Sequence, residues 1–340
     1  MKRYKLLLVA LPLVSLGSAM HARPAENKVG DELASFLGSP KFEMQQIFTG
    51  ERFPNVVVAA DGTVVATWGS KTVRARRSGD GGKTWGPEIM IANPGFHGGG
   101  ALLDETTGDL LVFVQDKHPP APAHLYRSKD HGQTWKIEDL VIQEDVNGKV
   151  PSLHMSEHGT TLLRGKHAGR LLRPARVYER PAGYNTAIFS DDGGRSWRSS
   201  EPFPDSGTGE GAVAELSSGR IYYSSRKHWF AAAADFRHQR RFAWSYDGGQ
   251  TWRDVGFERD LPDGSRYRGT ERRGSNYNGH FGMMCGLVRL PVEKHDILIY
   301  SNVDSPGHKR VRMTVWASFD GGTSWPVKRL VFAGPSAYSS

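Results

Sequence analysis

A single cysteine, Cys285, stands among the 340 residues, so no intrachain disulfide can form and burial of apolar surface must supply the stability. Beyond the first nineteen residues no stretch approaches the roughly 20 continuous apolar residues of a spanning helix, so no membrane span is expected. Long basic tracts are also missing. Lys and Arg number 44 against 36 Asp and Glu, for a formal charge of +8, but pairs such as Arg76-Arg77 and Arg272-Arg273 never lengthen into a run. That gives a nucleic-acid partner little support, while a moderately basic surface suits an anionic ligand.

The one long apolar run is terminal. Residues 1–19, "MKRYKLLLVALPLVSLGSA", begin with Lys2, Arg3 and Lys5 and end on small residues at Gly17 and Ala19. This is the pattern of a cleavable secretory signal peptide, and the expected location is secreted or periplasmic. Removing those three cations takes the formal charge from +8 to +5. The expected organisation is a signal peptide over 1–19, an N-terminal segment over 20–41 and one repeat-built domain over 42–340.

What the chain has in quantity is a repeat. "SGDGGKTW" at 78–85 returns as "SKDHGQTW" at 128–135, "SDDGGRSW" at 190–197, "SYDGGQTW" at 245–252 and "SFDGGTSW" at 318–325. The tryptophans fall 50, 62, 55 and 73 residues apart, the scale of one small sheet with its loops. In each copy Asp can accept hydrogen bonds from nearby backbone amides, Gly permits a positive φ, and Ser or Thr can close the turn. The Trp is expected to begin the next strand and bury its ring between neighbouring sheets. Strand-like runs precede each copy: "KTVRARRS", "AHLYRS", "YNTAIFS", "RRFAWS" and "VRMTVWAS". The expectation is an all-β array of meanders in which the octapeptide is scaffolding. A calcium loop would space several oxygen ligands regularly, and only one Asp recurs here, so no metal and no cofactor are expected.

This octapeptide is similar to the Asp-box (BNR repeat), and with its surroundings the chain from about Phe42 to the end resembles the sialidase (neuraminidase) family of glycoside hydrolases. The resemblance implies a six-bladed β-propeller with the Asp-box turns on the rim away from the active site. It also implies an anionic carbohydrate as partner. A sialic acid carries a carboxylate on the carbon under attack, so its enzyme needs fixed cations there, and the planar fork of Arg suits that task. A neutral Tyr deprotonated by a neighbouring Glu avoids the repulsion a carboxylate nucleophile would meet.

Five positions match that pattern. Arg52, in Arg52-Phe53-Pro54, resembles the family's Arg-Ile-Pro motif with Phe in place of Ile. Glu210 is followed five residues later by Glu215-Leu216 and sixteen later by Arg226. Arg310 precedes Ser318 by eight residues, and Tyr338 follows Trp325 by thirteen in a Gly-Pro-Ser-Ala-Tyr-Ser context. The resemblance gives Arg52, Arg226 and Arg310 to the substrate carboxylate, Tyr338 the role of nucleophile and Glu210 that of its base. "MCGLVRLP" at 284–291 resembles a core strand before the last blade.

Two features depart from the family. The general acid, an Asp about two dozen residues after the first Arg, has no counterpart: between Arg52 and the first Asp-box the only acid is Asp61, in a hairpin signal. Asp116 and His118 in "FVQDKHPPAPAH", or Glu157 beside His158 in "SLHMSEHGTTL", are candidate substitutes. His154 and His158 are spaced i,i+4, but with no helix expected there a zinc motif is unconvincing. The chain also stops two residues after Tyr338, so the last blade is expected to lack strands unless residues 42–48, "FEMQQIF", pair into it. Three readings remain: an exo-α-sialidase-like hydrolase, an anionic-sugar-binding propeller that keeps the carboxylate clamp without turnover, or action on a related anionic sugar, including a lyase reaction, through the same Arg pocket. The loops at 118–124 and 259–281 are the expected specificity loops.

Overall fold

The computed structural model describes residues 43–154, 158–179, 183–227, 239–263, 283–292, 295–306 and 309–340. The signal-peptide reading, Glu157 and most of the 259–281 loop therefore lie outside the described residues. The chain divides into residues 1–47 and 48–340, and every strand belongs to the second unit. Apart from a 3-10 turn at Gly165–His167, all described regular structure is strand, and no described helix is long and apolar enough to cross a membrane.

The strands form five antiparallel sheets in chain order. Sheet 1 holds β1 (Asn55–Val58), β2 (Val64–Trp68), β3 (Val73–Ser78) and β4 (Ile89–Ala92). Sheet 2 holds β5 (Phe96–His97), β7 (Leu110–Gln115), β8 (Ala123–Ser128) and β9 (Lys136–Glu138), with β6 (Leu102–Leu103) also paired to β7. Sheet 3 holds β10 (Thr160–Thr161), β11 (Leu171–Val177), β12 (Tyr184–Ser190) and β13 (Arg198–Ser199). Sheet 4 holds β14 (Thr208–Glu215), β15 (Ile221–Lys227), β16 (Gln239–Ser245) and β17 (Arg253–Pro262). Sheet 5 holds β18 (Gly286–Arg289), β19 (Leu298–Val303), β20 (Val311–Ser318) and β21 (Val327–Pro335).

Each Asp-box starts at the last residue of its sheet's third long strand and makes the turn into the fourth, as the sequence predicts. The turn chemistry is repeated atom for atom. Asp192 Oδ1 accepts from Ser190 Oγ at 2.7 Å and from the Arg195 and Ser196 amides at 3.0 Å, while its Oδ2 accepts from Ser196 Oγ at 2.6 Å. Asp80, Asp130, Asp247 and Asp320 do the same in their own copies. The carboxylate is thus occupied by its own turn. The octapeptide is scaffolding.

Four apolar clusters fill the spaces between consecutive sheets. Val65, Val73, Leu110 and Val112 join sheets 1 and 2, and Leu111, Phe113, Leu171 and Ile188 join sheets 2 and 3. Leu172, Phe189, Ile221 and Tyr223 join sheets 3 and 4, and Tyr222, Trp244, Leu298 and Trp316 join sheets 4 and 5. Trp197, Trp252 and Trp325 pack back onto the preceding sheet and are buried in these clusters. Trp135 is half-buried against the first cluster, and Trp85, whose sheet has none before it among the described residues, is half-buried as well. The expectation that every box Trp is buried therefore holds for three copies, not five.

Two further expectations are corrected. The described residues form five sheets rather than six, one per Asp-box, and the outward faces of sheet 1 (Val56, Val58, Met90) and sheet 5 (Val288, Leu330, Phe332) remain exposed. The last sheet is not short of strands: the residues between Trp325 and Tyr338 suffice for β21, which pairs with β20 from Ala317↔Val327 to Val311↔Pro335. With that place filled, residues 43–48 form no strand.

Candidate active site

Antiparallel meanders fix which residues share an end of the sheets. The Asp-boxes sit where the third long strand turns into the fourth, so the opposite end collects the start of each first strand, the second-to-third connections and the exit of the fourth strand. Arg52 precedes β1, Glu210 lies near the start of β14, Arg226 near the end of β15, Arg310 just before β20, and Tyr338 just after β21. All five sequence-predicted positions therefore fall at one end, away from the Asp-boxes.

Their side chains also meet. Arg226 Nη1 donates to Glu210 Oε2 at 2.7 Å in a fully buried pair. The other carboxylate oxygen, Oε1, accepts from Tyr338 Oη at 3.5 Å, a long contact of the kind that tightens when a site is occupied. The guanidinium carbons of Arg52 and Arg310 lie 5.7 and 5.6 Å from the Tyr338 ring centre. Local backbone features produce this convergence. Between Thr208 and Gly211 the register of β14 slips, setting residues 209 and 210 against Arg226 alone, a bulge that re-aims Glu210. Gly211 is required beside it, because a Cβ there would meet the Tyr223 ring at 2.5 Å. Phe53 takes a left-handed φ of 62°, and its buried ring packs beside both the Arg52 guanidinium, 4.6 Å away, and the Tyr338 ring, 5.8 Å away.

Tyr338 is anchored through its neighbours. Ser336 N donates to Arg310 O at 3.0 Å, Ser339 Oγ donates to Ser301 O at 2.9 Å, and Asn55 Nδ2 donates to Ser340 Oγ. Burial and the Glu210 carboxylate push the Tyr338 hydroxyl above its ordinary pKa, against the pull of Arg226, Arg310 and Arg52. The resting hydroxyl is neutral. Burial opposes the charge on Arg226, but Glu210, Tyr338 and Asp263 together outweigh it and hold the guanidinium's pKa above its ordinary value.

Comparison with known proteins gives the family and the fold. The profile of the BNR repeat-like domain matches residues 69–340. The chain belongs to that family. Among curated relatives, this BNR repeat-like chain is 27% identical to the sialidase of Micromonospora viridifaciens over 97% of its length and 54% of the relative's. It is 24% identical to the sialidase of Bacteroides fragilis over 81% of its length and 54% of the relative's. The chain thus spans about half the length of these relatives. Solved structures with the same fold include a Hadza microbial sialidase (TM-score 0.65, 22% identity, 84% of this chain and 59% of that one). Another is the intramolecular trans-sialidase of Ruminococcus gnavus (TM-score 0.62, 14% identity, 86% of each chain).

The candidate acids are placed differently from one another. Asp61 lies in the β1–β2 turn, where it accepts from Thr63 N at 2.9 Å. Asp116, exposed, pairs with His124 at 3.0 Å. His118 packs against Phe96, His154 and Tyr178 with ring centres 5.6, 5.0 and 5.3 Å away. Glu157 lies outside the described residues.

Sequence reasoning missed Arg176. It is fully buried on β11, and its charge interacts with Glu210, Arg226 and Tyr338; burial brings its pKa down to about 10, which leaves it cationic at neutral pH. Arg173, three residues earlier on the same strand, is equally buried and donates to Gly98 O at 2.5 Å. The available signal was "LLRPARV", two arginines in a strand whose seven residues are all buried.

Proposed function

We propose that the protein is a sialidase-like glycoside hydrolase that releases a terminal sialic acid or a related α-keto acid sugar with retention, through a tyrosyl intermediate. The observation that carries this reading is the meeting of Arg52, Arg226 and Arg310 around a Tyr338–Glu210 pair at one end of the sheets. The three guanidinium groups would hold the sugar's carboxylate. Glu210 would take the hydroxyl proton as Tyr338 Oη attacks the anomeric carbon, and the bond to the leaving oxygen would break with its electron pair. Water would then displace Tyr338, which recovers its proton from Glu210. Export through the segment 1–19 belongs to the same proposal, since an exo-acting glycosidase meets glycoconjugates outside the cytoplasm.

The test is release of 4-methylumbelliferone from its sialoside. Wild type is expected to turn over, and Tyr338→Phe to lose on the order of 10³-fold in kcat. Full activity in that variant removes Tyr338 as nucleophile. Sialic acid binding by calorimetry without hydrolysis of the aryl sialoside would instead establish the binding-propeller reading, which the missing family Asp favours.

A further inference from the structure

We propose that His118 is the proton donor to the leaving group and the base for the incoming water, an assignment that rests on the glycosidase reading above. His118 stands on loop 116–122, which joins β7 to β8 at the same end of the sheets as Glu210 and Tyr338. Its Nδ1 lies 2.9 Å from Pro119 O. A carbonyl only accepts, so Nδ1 carries a hydrogen and Nε2 is the nitrogen that gains and loses the working proton.

The neighbours of the ring lead to two features. On one side Phe96 packs edge-on against His118, Phe53 follows 4.9 Å beyond Phe96, and Tyr338 follows 5.8 Å beyond Phe53. On the other, Pro119, Pro120 and Tyr178 line a groove of about 790 Å³ between sheets 2 and 3. A groove of that size has room for the part of a glycoconjugate that departs. His118 therefore neighbours both the aromatic set that reaches Tyr338 and the residues that line the space into which the aglycone would extend. The glycosidic oxygen of an exo-cleaved substrate belongs at that junction.

A hydrogen-bond relay fixes the loop that carries it. Arg176 donates to His154 Nε2, so the His154 proton sits on Nδ1 and is donated to Ser152 Oγ at 2.5 Å. Ser152 Oγ donates to Gln115 Oε1 at 3.2 Å, and Gln115 Nε2 donates to Ala121 O at 3.3 Å. The charge environment of His118 is set by His154, held neutral by burial and by Arg176, and by Tyr178 with the Arg176 guanidinium 4.8 Å over its ring. Asp116, at the base of the loop, is paired with His124. The carboxylate that lines the groove beside Tyr178, Glu179, is paired with Lys149 at 2.6 Å.

The step balances. His118 imidazolium gives its Nε2 proton to the glycosidic oxygen as that oxygen takes the electron pair of its bond to the anomeric carbon, and the aglycone leaves as a neutral alcohol. Neutral His118 then takes a proton from the water that attacks the anomeric carbon, and Tyr338 leaves to be reprotonated by Glu210.

The experiment compares 3′-sialyllactose, whose leaving group needs a proton, with 4-methylumbelliferyl sialoside, whose leaving group needs little. His118→Phe keeps the ring packing and His118→Gln keeps a donor for Pro119 O. Both are expected to lose about 10²–10⁴-fold on sialyllactose. The initial burst of 4-methylumbelliferone should stay within about tenfold of wild type. The alkaline fall of the wild-type sialyllactose profile, where the acid loses its proton, should vanish in both. Equal losses on the two substrates, or full sialyllactose activity in both variants, overturn the assignment while leaving Tyr338 and Glu210 in place. A sialyllactose-specific loss in Asp116→Asn instead of the His118 variants overturns it equally. Wild type that cleaves neither substrate overturns the glycosidase reading and this assignment with it.

Discussion

The two ends of the sheets are built on opposite rules. At the Asp-box end one octapeptide is used five times, and each Asp spends both carboxylate oxygens on its own turn. At the other end no motif repeats, and the charged groups reach across sheets to one another, with Arg226, Glu210 and Tyr338 drawn from two sheets and Arg52 from a third. Self-satisfied turns hold a scaffold in place. Polar groups that satisfy each other only across a gap leave room for a substrate to join them.

The sharpest way to break this contrast is to exchange rate for stability. Tyr338→Phe is expected to lower kcat on the order of 10³-fold, about 4 kcal/mol of barrier, with the melting temperature unchanged within a degree or two. Trp252→Ala should do the reverse. Its ring is 1% exposed between sheets 3 and 4, so truncation is expected to cost about 3–5 kcal/mol in chemical denaturation. Activity per folded molecule should remain. A Tyr338 variant that melts early, or a Trp252 variant that is stable but inactive, would dissolve the distinction.

A titrating group near the scaffold end gives the next largest effect. Glu258 on β17 is buried, accepts from Tyr222 Oη, and is pushed by that burial from 4.5 up to about 7. Because the folded value lies above the unfolded one, its contribution is fully present below about pH 4.5 and is lost as pH rises through about 7. Glu258→Gln should therefore match wild type at about pH 4 and exceed it by up to about 3 kcal/mol at pH 8 in urea unfolding. A constant difference between the two pH values would remove Glu258 as the cause.

The same contrast explains what the sequence made legible. The strands "AHLYRS", "YNTAIFS" and "VRMTVWAS" coincide with β8, β12 and β20, because a repeated turn marks where each ends. Arg52, Glu210, Arg226, Arg310 and Tyr338 could be picked out because their order and spacing match the sialidase family pattern. Arg176 and the ring cluster of Phe96, His118, His154 and Tyr178 could not, because their roles arise from packing between sheets 2 and 3 that no spacing records. The sheet count went wrong for a related reason. Five boxes specify five sheets, while a sixth was inferred from resemblance alone.

The smallest effects test whether equivalent motif positions are equivalent in energy. Hydrogen bonds from Ser196 and Ser190 and the Ser196 and Arg195 amides outweigh burial and hold Asp192 down at about 2, and Asp130 is held at about 2 in the same way. Depressed values mean that this stabilisation is present above the unfolded pKa of 3.8 and is lost as pH falls through about 2. Asp192→Asn should cost about 1 kcal/mol at pH 7, since the amide cannot accept on both sides, and the difference from wild type should shrink toward pH 2. Trp85→Ala should cost less than Trp252→Ala by several-fold, about 1 kcal/mol or below, because its ring is only partly buried and no described sheet lies behind it. A Trp85 loss equal to that at Trp252 would mean that something else in the native protein covers the outward face of sheet 1.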